Sequence, residues 1–185
     1  MIINYMNNNK SNWERVQFED GPDLKLFRAR FDYMRNPRNG KTERMIVLVS
    51  PDSVNVVPIT TNGDILFVRQ YRFGIGEYTL ELPGGIVDPG EDHSPAAQRE
   101  LEEETGHTGG EWRYLGKIPS NPVFMDSYIH HWVAKGVEKT HELSLDDGEA
   151  IDLVQMPIET VKSQLSKGYF QHPHTVNALL LYFGL

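Results

Sequence analysis

The 185-residue sequence contains no cysteine, which excludes disulfide frameworks, thiolate nucleophiles and zinc sites built on sulfur. Basic residues are outnumbered: 18 Lys and Arg stand against 26 Asp and Glu, a formal net charge of -8. A protein that grips nucleic acid needs basic surface to neutralise phosphates, so no nucleic-acid partner is expected. Long apolar runs are missing too. Nothing approaches the roughly 18 apolar residues of a membrane span, and residues Met1 to Asn12 are polar and Asn-rich, without an apolar stretch of signal-peptide length. The expectation is a soluble, untargeted, cytoplasmic chain with no membrane partner. If the ligand of so acidic a protein is itself an anion, a metal ion is the obvious mediator.

With 39% hydrophobic and 24% charged residues, the chain has enough core for one domain with an appendage. From Leu24 to Tyr33 the residues alternate, with Phe27, Ala29, Phe31 and Tyr33 on one side and Arg28, Arg30 and Asp32 on the other, the pattern of a half-buried strand. Asn36 to Gly40 reads as a turn. Short β-branched runs at Met45 to Val49, Val54 to Ile59 and Ile65 to Tyr71 predict strands, the last two joined by the hairpin dipeptide Asn62-Gly63. Another strand ends in Leu80-Glu81-Leu82. Ser94-Pro95 suits a helix start and Gly106 its end. Strands at Trp112 to Ile118, Tyr128 to Ala134 and Ile151 to Gln155 follow, then helices at Ile158 to Lys167 and Thr175 to Tyr182. The sum is an α+β chain, a mixed sheet flanked by helices, with an N-terminal antiparallel β arm over residues 1–44 and the main domain over 45–185.

The densest chemistry is Arg99-Glu100-Leu101-Glu102-Glu103-Glu104. With Ala97 as zero and about 100° per residue, Leu101 falls at about 40° and Thr105 at about 80°, a core-facing stripe. Glu103, Glu100 and Glu104 fall at about 240°, 300° and 340°, on one face beside that stripe, while Glu102 at about 140° points elsewhere into solvent. A glutamate run is most often just a solvated surface. Here, however, Glu100 and Glu104 form a like-charge i,i+4 pair, and all three carboxylates sit toward the helix C-terminus, where the macrodipole favours cations. A divalent cation would remove both penalties, and oxygen-only ligands point to Mg²⁺ or Mn²⁺ rather than zinc. Upstream, Gly84-Gly85 allow a backbone to approach an ion or phosphate closely.

Gly85, five residues, Glu91, seven residues, Arg99-Glu100-Leu101, one residue, Glu103-Glu104, one residue and Gly106 match the Nudix box. The departure is His107, where the family has a large aliphatic residue; it affects local packing rather than the carboxylate face. Arg69-Gln70-Tyr71-Arg72, Leu80 to Gly85, Pro122, Gly168 and the helix from Thr175 resemble the ADP-ribose pyrophosphatase branch, so the likeness runs from about Trp13 onward. It implies a Nudix fold, an α/β/α sandwich, and Mg²⁺- or Mn²⁺-dependent hydrolysis of a nucleoside diphosphate sugar, ADP-ribose first, giving AMP and ribose 5-phosphate.

Carried over by this resemblance, Glu100 and Glu104 are the principal metal ligands, Glu103 a further ligand or water holder, and the Gly84 carbonyl a backbone ligand. Gly85, Glu91, Arg99 and Gly106 support them, with Glu91 and Arg99 an ion pair bracing loop against helix. The branch takes its general base from an acidic loop, for which Asp147 and Glu149 are the candidates and Asp126 a weaker one. Arg72, Arg69, Arg28, Arg30 and Asp126 are the candidate substrate contacts. The seven histidines read as structural or exposed: His130 and His131 are neighbours in a strand and face opposite ways, and the His172, His174 spacing is not a helical zinc pattern. GDP-mannose or another nucleotide sugar is the alternative substrate, and a catalytically silent ADP-ribose sensor the alternative of another class. The apolar face of the arm, together with the resemblance, predicts a homodimer in which each arm serves its neighbour's site.

Overall fold

A computed structural model describes residues 12–145, 148 and 150–185. Asp147 and Glu149 lie outside the described residues. The chain divides into two compact units, Met1–Ser50 with Asn121–Asp126, and Pro51–Ser120 with Ser127–Leu185.

The first unit is an antiparallel sheet of β1 (Glu14–Asp23), β2 (Arg28–Arg35) and β3 (Thr42–Val49), with β2 in the middle. The predicted alternation survives only from Arg28. Leu24 to Phe27 instead close a turn, with the Leu24 amide donating to the Phe27 carbonyl at 2.7 Å and Lys25 at φ 69. β1 escaped the sequence reading because its only large apolar residues, Val16 and Phe18, are set among charges and stay exposed. The turn at Asn36 to Gly40 forms as expected, the Gly40 amide donating to the Asn36 carbonyl at 2.9 Å. The expected boundary between residues 44 and 45 falls inside β3, and the unit runs on to Ser50. Residues 121–126 join it through the Leu48 amide, which donates to the Phe124 carbonyl at 2.7 Å.

The second unit is built on a six-stranded mixed sheet of β4 (Ser53–Thr60), β5 (Asp64–Arg72), β6 (Glu77–Glu81), β7 (His107–Pro119), β8 (Tyr128–Lys139) and β9 (Ile151–Pro157). Its order is β6-β5-β4-β8-β7, with β9 paired to β5. β4 and β8 run parallel, and the other pairs are antiparallel. Helix α1 (His93–Thr105) packs on one side, and α2 (Ile158–Leu165) and α3 (Pro173–Phe183) on the other. Adjacent residues of β4 and β5 therefore go to different cores: Val54, Val56 and Leu66 meet α1, while Val57, Ile59, Ile65 and Phe67 meet α2 and α3. A strand covered on both faces reads as an unbroken apolar run, which is why these two were legible in the sequence. The predicted Asn62-Gly63 turn joins them, with Gly63 at φ 86. Among the described residues no helix is long and apolar enough to cross a membrane.

Candidate active site

Helix α1 carries the carboxylates. Its N-cap is Asp92, in extended conformation, two residues before the expected cap Ser94. It ends at Gly106, whose φ of 68 is a left-handed conformation that glycine adopts without a Cβ penalty. Glycine is required there twice over, since a Cβ would run into the His141 carbonyl oxygen. His107 is buried, its amide donating to Thr105 Oγ1 at 3.1 Å and its Nδ1 lying 2.7 Å from the Thr105 carbonyl. The departure from the box is thus absorbed in local packing.

The helical face falls as the spacing predicts. Ala97, Leu101 and Thr105 are fully buried against the sheet, and Glu100 and Glu104 beside them are only 8% and 3% exposed. Glu103 is more open, and Glu102 turns away toward His141 at 3.4 Å. Carboxylates this deep carry a desolvation cost that only hydrogen bonds or a cation can offset.

The Leu82–Gly85 segment supplies part of that. The Pro83 and Gly85 carbonyls accept from the Val56 and Val54 amides at 2.9 and 2.8 Å, so the segment is laced along β4. The Gly84 amide donates to Glu104 Oε2 at 2.9 Å. Both glycines are needed for this approach. A Cβ on Gly84 would meet the Val54 carbonyl oxygen and stand 2.8 Å from the Asn55 Cα, and one on Gly85 would lie 2.6 Å from the Glu100 carboxyl carbon.

Arg99 ties the arrangement together. Its Nη1 donates to Glu100 at 2.8 Å and to Glu103 at 3.0 Å, and its Nη2 donates to Glu91 and to the Ile86 carbonyl, both at 3.1 Å. The bond from Arg99 holds the Glu91 carboxyl below its ordinary range, and Glu91, with Glu100 and Glu103, raises the already high pKa of Arg99. Among the described residues no three acidic or histidine side chains already converge as a ligand cluster; Arg99 stands between Glu100 and Glu103. The donor set nevertheless fits a hard divalent cation. It is all oxygen, two of its carboxylates are buried side by side, and Gly85 leaves the room beside Glu100 that any side chain would fill. A cleft of about 520 Å³ is lined by Arg99, Glu102, Glu103, His141, Glu142 and Ser144, on the more open side of the helix and not by Glu100 or Glu104.

Within the second unit, Arg72 and Arg69 are not gathered in one place. Arg72 makes two 2.6 Å bonds to Glu81, which is 2% exposed, also accepts from Thr79, and has His172 Nδ1 at 3.3 Å. Burial opposes the charge on Glu81, but the Arg72 bond, His172 and Thr79 outweigh it and hold the carboxyl below its ordinary range. Arg69, three residues away on β5 and so on its other face, lies over the Tyr78 ring at 4.2 Å and bonds Asp152 at 3.2 Å. In the first unit, Arg30 bonds Asp32 at 2.9 Å and Asp126 at 3.2 Å, and Arg28 comes within 4.0 Å of Asp20. Glu81 and Thr79, with Asn55 and Thr175 near Leu82, were not found from the sequence; Arg72 was read as a substrate contact and His172 as structural or exposed. The signal was faint: an Asn inside the apolar run of β4 and a Thr in the first turn of α3.

With this geometry in place, the sequence matches the NUDIX domain over residues 49–179. The chain belongs to the NUDIX domain family. It is 33% identical over 142 residues to the methanol dehydrogenase activator of Bacillus methanolicus, covering 76% of this chain and 77% of that protein. It is 30% identical over 122 residues to the ADP-ribose pyrophosphatase of Bacillus subtilis (strain 168), covering 65% of this chain and 66% of that one. A crystal structure of an ADP compounds hydrolase superposes with a TM-score of 0.83 at 25% identity, covering 96% of each chain. The α+β architecture is that of the NUDIX fold, and NUDIX hydrolases generally use a divalent metal.

Proposed function

We propose that this protein hydrolyses the diphosphate bond of an ADP-sugar, ADP-ribose first, to AMP and ribose 5-phosphate, with Mg²⁺ or Mn²⁺ as its ion. The observation that carries this reading is the pair of buried carboxylates, Glu100 and Glu104, on one face of α1, drawn against Gly84 and Gly85. Relatives named ADP-ribose pyrophosphatase and ADP compounds hydrolase support the substrate class.

In this reading Glu100, Glu104 and the Gly84 carbonyl hold the ion, with Glu103 as a further ligand or water holder. When bound, such an ion would supply charge neutralisation for the diphosphate and a lowered pKa for water. Arg99 and Glu91 hold the carboxylate face in place, and Arg72, fixed in orientation by Glu81, presents its outward edge to phosphate. Asp147 or Glu149 takes the proton from water, so Glu149→Gln lowers turnover by roughly 10²- to 10⁴-fold with metal affinity unchanged if Glu149 is the base. Substrate contacts from Arg69 and Asp126 belong to the same reading.

The protein acts as a homodimer in which the N-terminal arm presents Arg28 and Arg30 to the substrate of a second copy. Exposed Trp13, Phe18, Met45 and Ile46 support an arm that seeks a partner. The predicted Phe27 to Tyr33 face is not that surface, since Ala29 is buried and Phe31 lies under the Arg44 guanidinium at 3.6 Å. Sedimentation as a monomer at micromolar concentration removes the dimer. Mixing Arg28→Ala/Arg30→Ala protein with Glu104→Gln protein restores activity only if the arm acts in trans.

The decisive experiment incubates the protein and Mg²⁺ with ADP-ribose, GDP-mannose, other nucleotide sugars and dinucleotides, and identifies products by chromatography. AMP from ADP-ribose ahead of GMP from GDP-mannose is the expected result. No product from any substrate overturns the enzymatic reading in favour of a binding protein.

A further inference from the structure

We propose that Asn55 and Thr175 are positioning residues that hold the Leu82–Gly85 segment in register for the carboxylates of α1; this rests on the metal-site reading above. Leu82 is gripped from both sides of its own backbone. Its amide donates to Thr175 Oγ1 at 3.0 Å, and its carbonyl accepts from Asn55 Nδ2 at 3.2 Å. Thr175 is fully buried and Asn55 is 4% exposed, so both bonds lie away from water, where a lost partner is costly.

Asn55 is the more telling residue. Its neighbours Val54, Val56, Val57 and Ile59 are buried and apolar, and its own Oδ1 has no hydrogen-bond partner in the protein among the described residues. A leucine there would pack without burying an unmatched carbonyl. Local rules are broken in this way chiefly where function repays the cost, and the amide side of Asn55 reaches the Leu82 carbonyl. Thr175 links the same point to α3: its hydroxyl also lies 3.2 Å from Nδ1 of His172, the residue that caps that helix.

Two residues beyond Leu82, the Gly84 amide meets Glu104, and the Gly84 carbonyl is not used in the pairing of Pro83 and Gly85 with β4. Where Leu82 sits therefore sets where both Gly84 groups sit. Groups that orient ligands through a second layer of hydrogen bonds typically change metal affinity about 10- to 100-fold when removed.

The test measures Mn²⁺ binding to the full chain by electron paramagnetic resonance of the free ion, alongside thermal melting and ADP-ribose hydrolysis. Asn55→Leu and Thr175→Val are expected to weaken Mn²⁺ binding about 10-fold or more, and Thr175→Ser, which keeps the hydroxyl, to bind as the parent does. Asn55→Leu is expected to lose more Mn²⁺ affinity than its change in melting temperature accounts for, which separates positioning from mere stability. Variants that stay folded and bind Mn²⁺ like the parent overturn the proposal, as does weakening that tracks melting temperature alone and is not rescued by Thr175→Ser. A parent protein that binds Mn²⁺ and cleaves ADP-ribose while the variants match it leaves the functional reading standing; a parent that does neither overturns both.

Discussion

The second unit buries carboxylates in two places, and the contrast between them separates structure from chemistry. Glu81 and Glu104 are almost equally inaccessible, at 2% and 3% exposed. Glu81 is met by a bidentate arginine, a threonine and a histidine, so its charge is cancelled where it lies. Glu104 is met by a backbone amide and shares its helical face with Glu100 one turn earlier. The cost of desolvation is similar, but the Glu81 charge is already matched within the protein, whereas Glu104 and Glu100, the latter held by Arg99, are like charges on one face that attract a cation.

Exchanging one residue at each place breaks the comparison in opposite directions. Glu104→Gln is expected to lower turnover at least ~100-fold with an unchanged melting temperature, because an amide is a poor ligand for a hard cation. Steady-state assays and calorimetry check it. Arg72→Ala leaves the buried Glu81 charge half-matched and should destabilise toward the lower end of roughly 3–5 kcal/mol, since Thr79 and His172 remain. Urea unfolding measures that loss, and Mn²⁺ affinity should not change with it; if affinity falls too, the two places are one site.

Buried histidines of the second unit sharpen the contrast in pH. Burial pushes His131 and His172 from 6.5 down to about 4. A depressed folded value means the fold prefers the neutral ring, so its contribution is full above 6.5 and is lost as pH falls toward 4. Unfolding free energy should drop across that window, and His131→Leu should make the drop shallower. An identical profile would show that His131 is not what acid attacks. The smallest effect is reserved for Glu102→Gln, which should stay within about 0.5 kcal/mol of the parent and keep its activity, because Glu102 lies off the shared face.

Read from the sequence alone, periodicity was enough for α1, its buried stripe and the separation of Glu102 from the other three glutamates, because helical geometry is local and repeats every few residues. The same holds for β4 and β5, whose apolar runs reflect cover on both faces, and for Gly106, whose role depends on its own backbone. The box spacing likewise named Gly85, Glu91 and Arg99 before any contact was known. What only the tertiary structure decided was every partnership across the chain: Glu81 with Arg72 and His172, and Leu82 between Asn55 and Thr175. These depend on which strand edge meets which helix start, and residues far apart in sequence carry no periodic trace of each other.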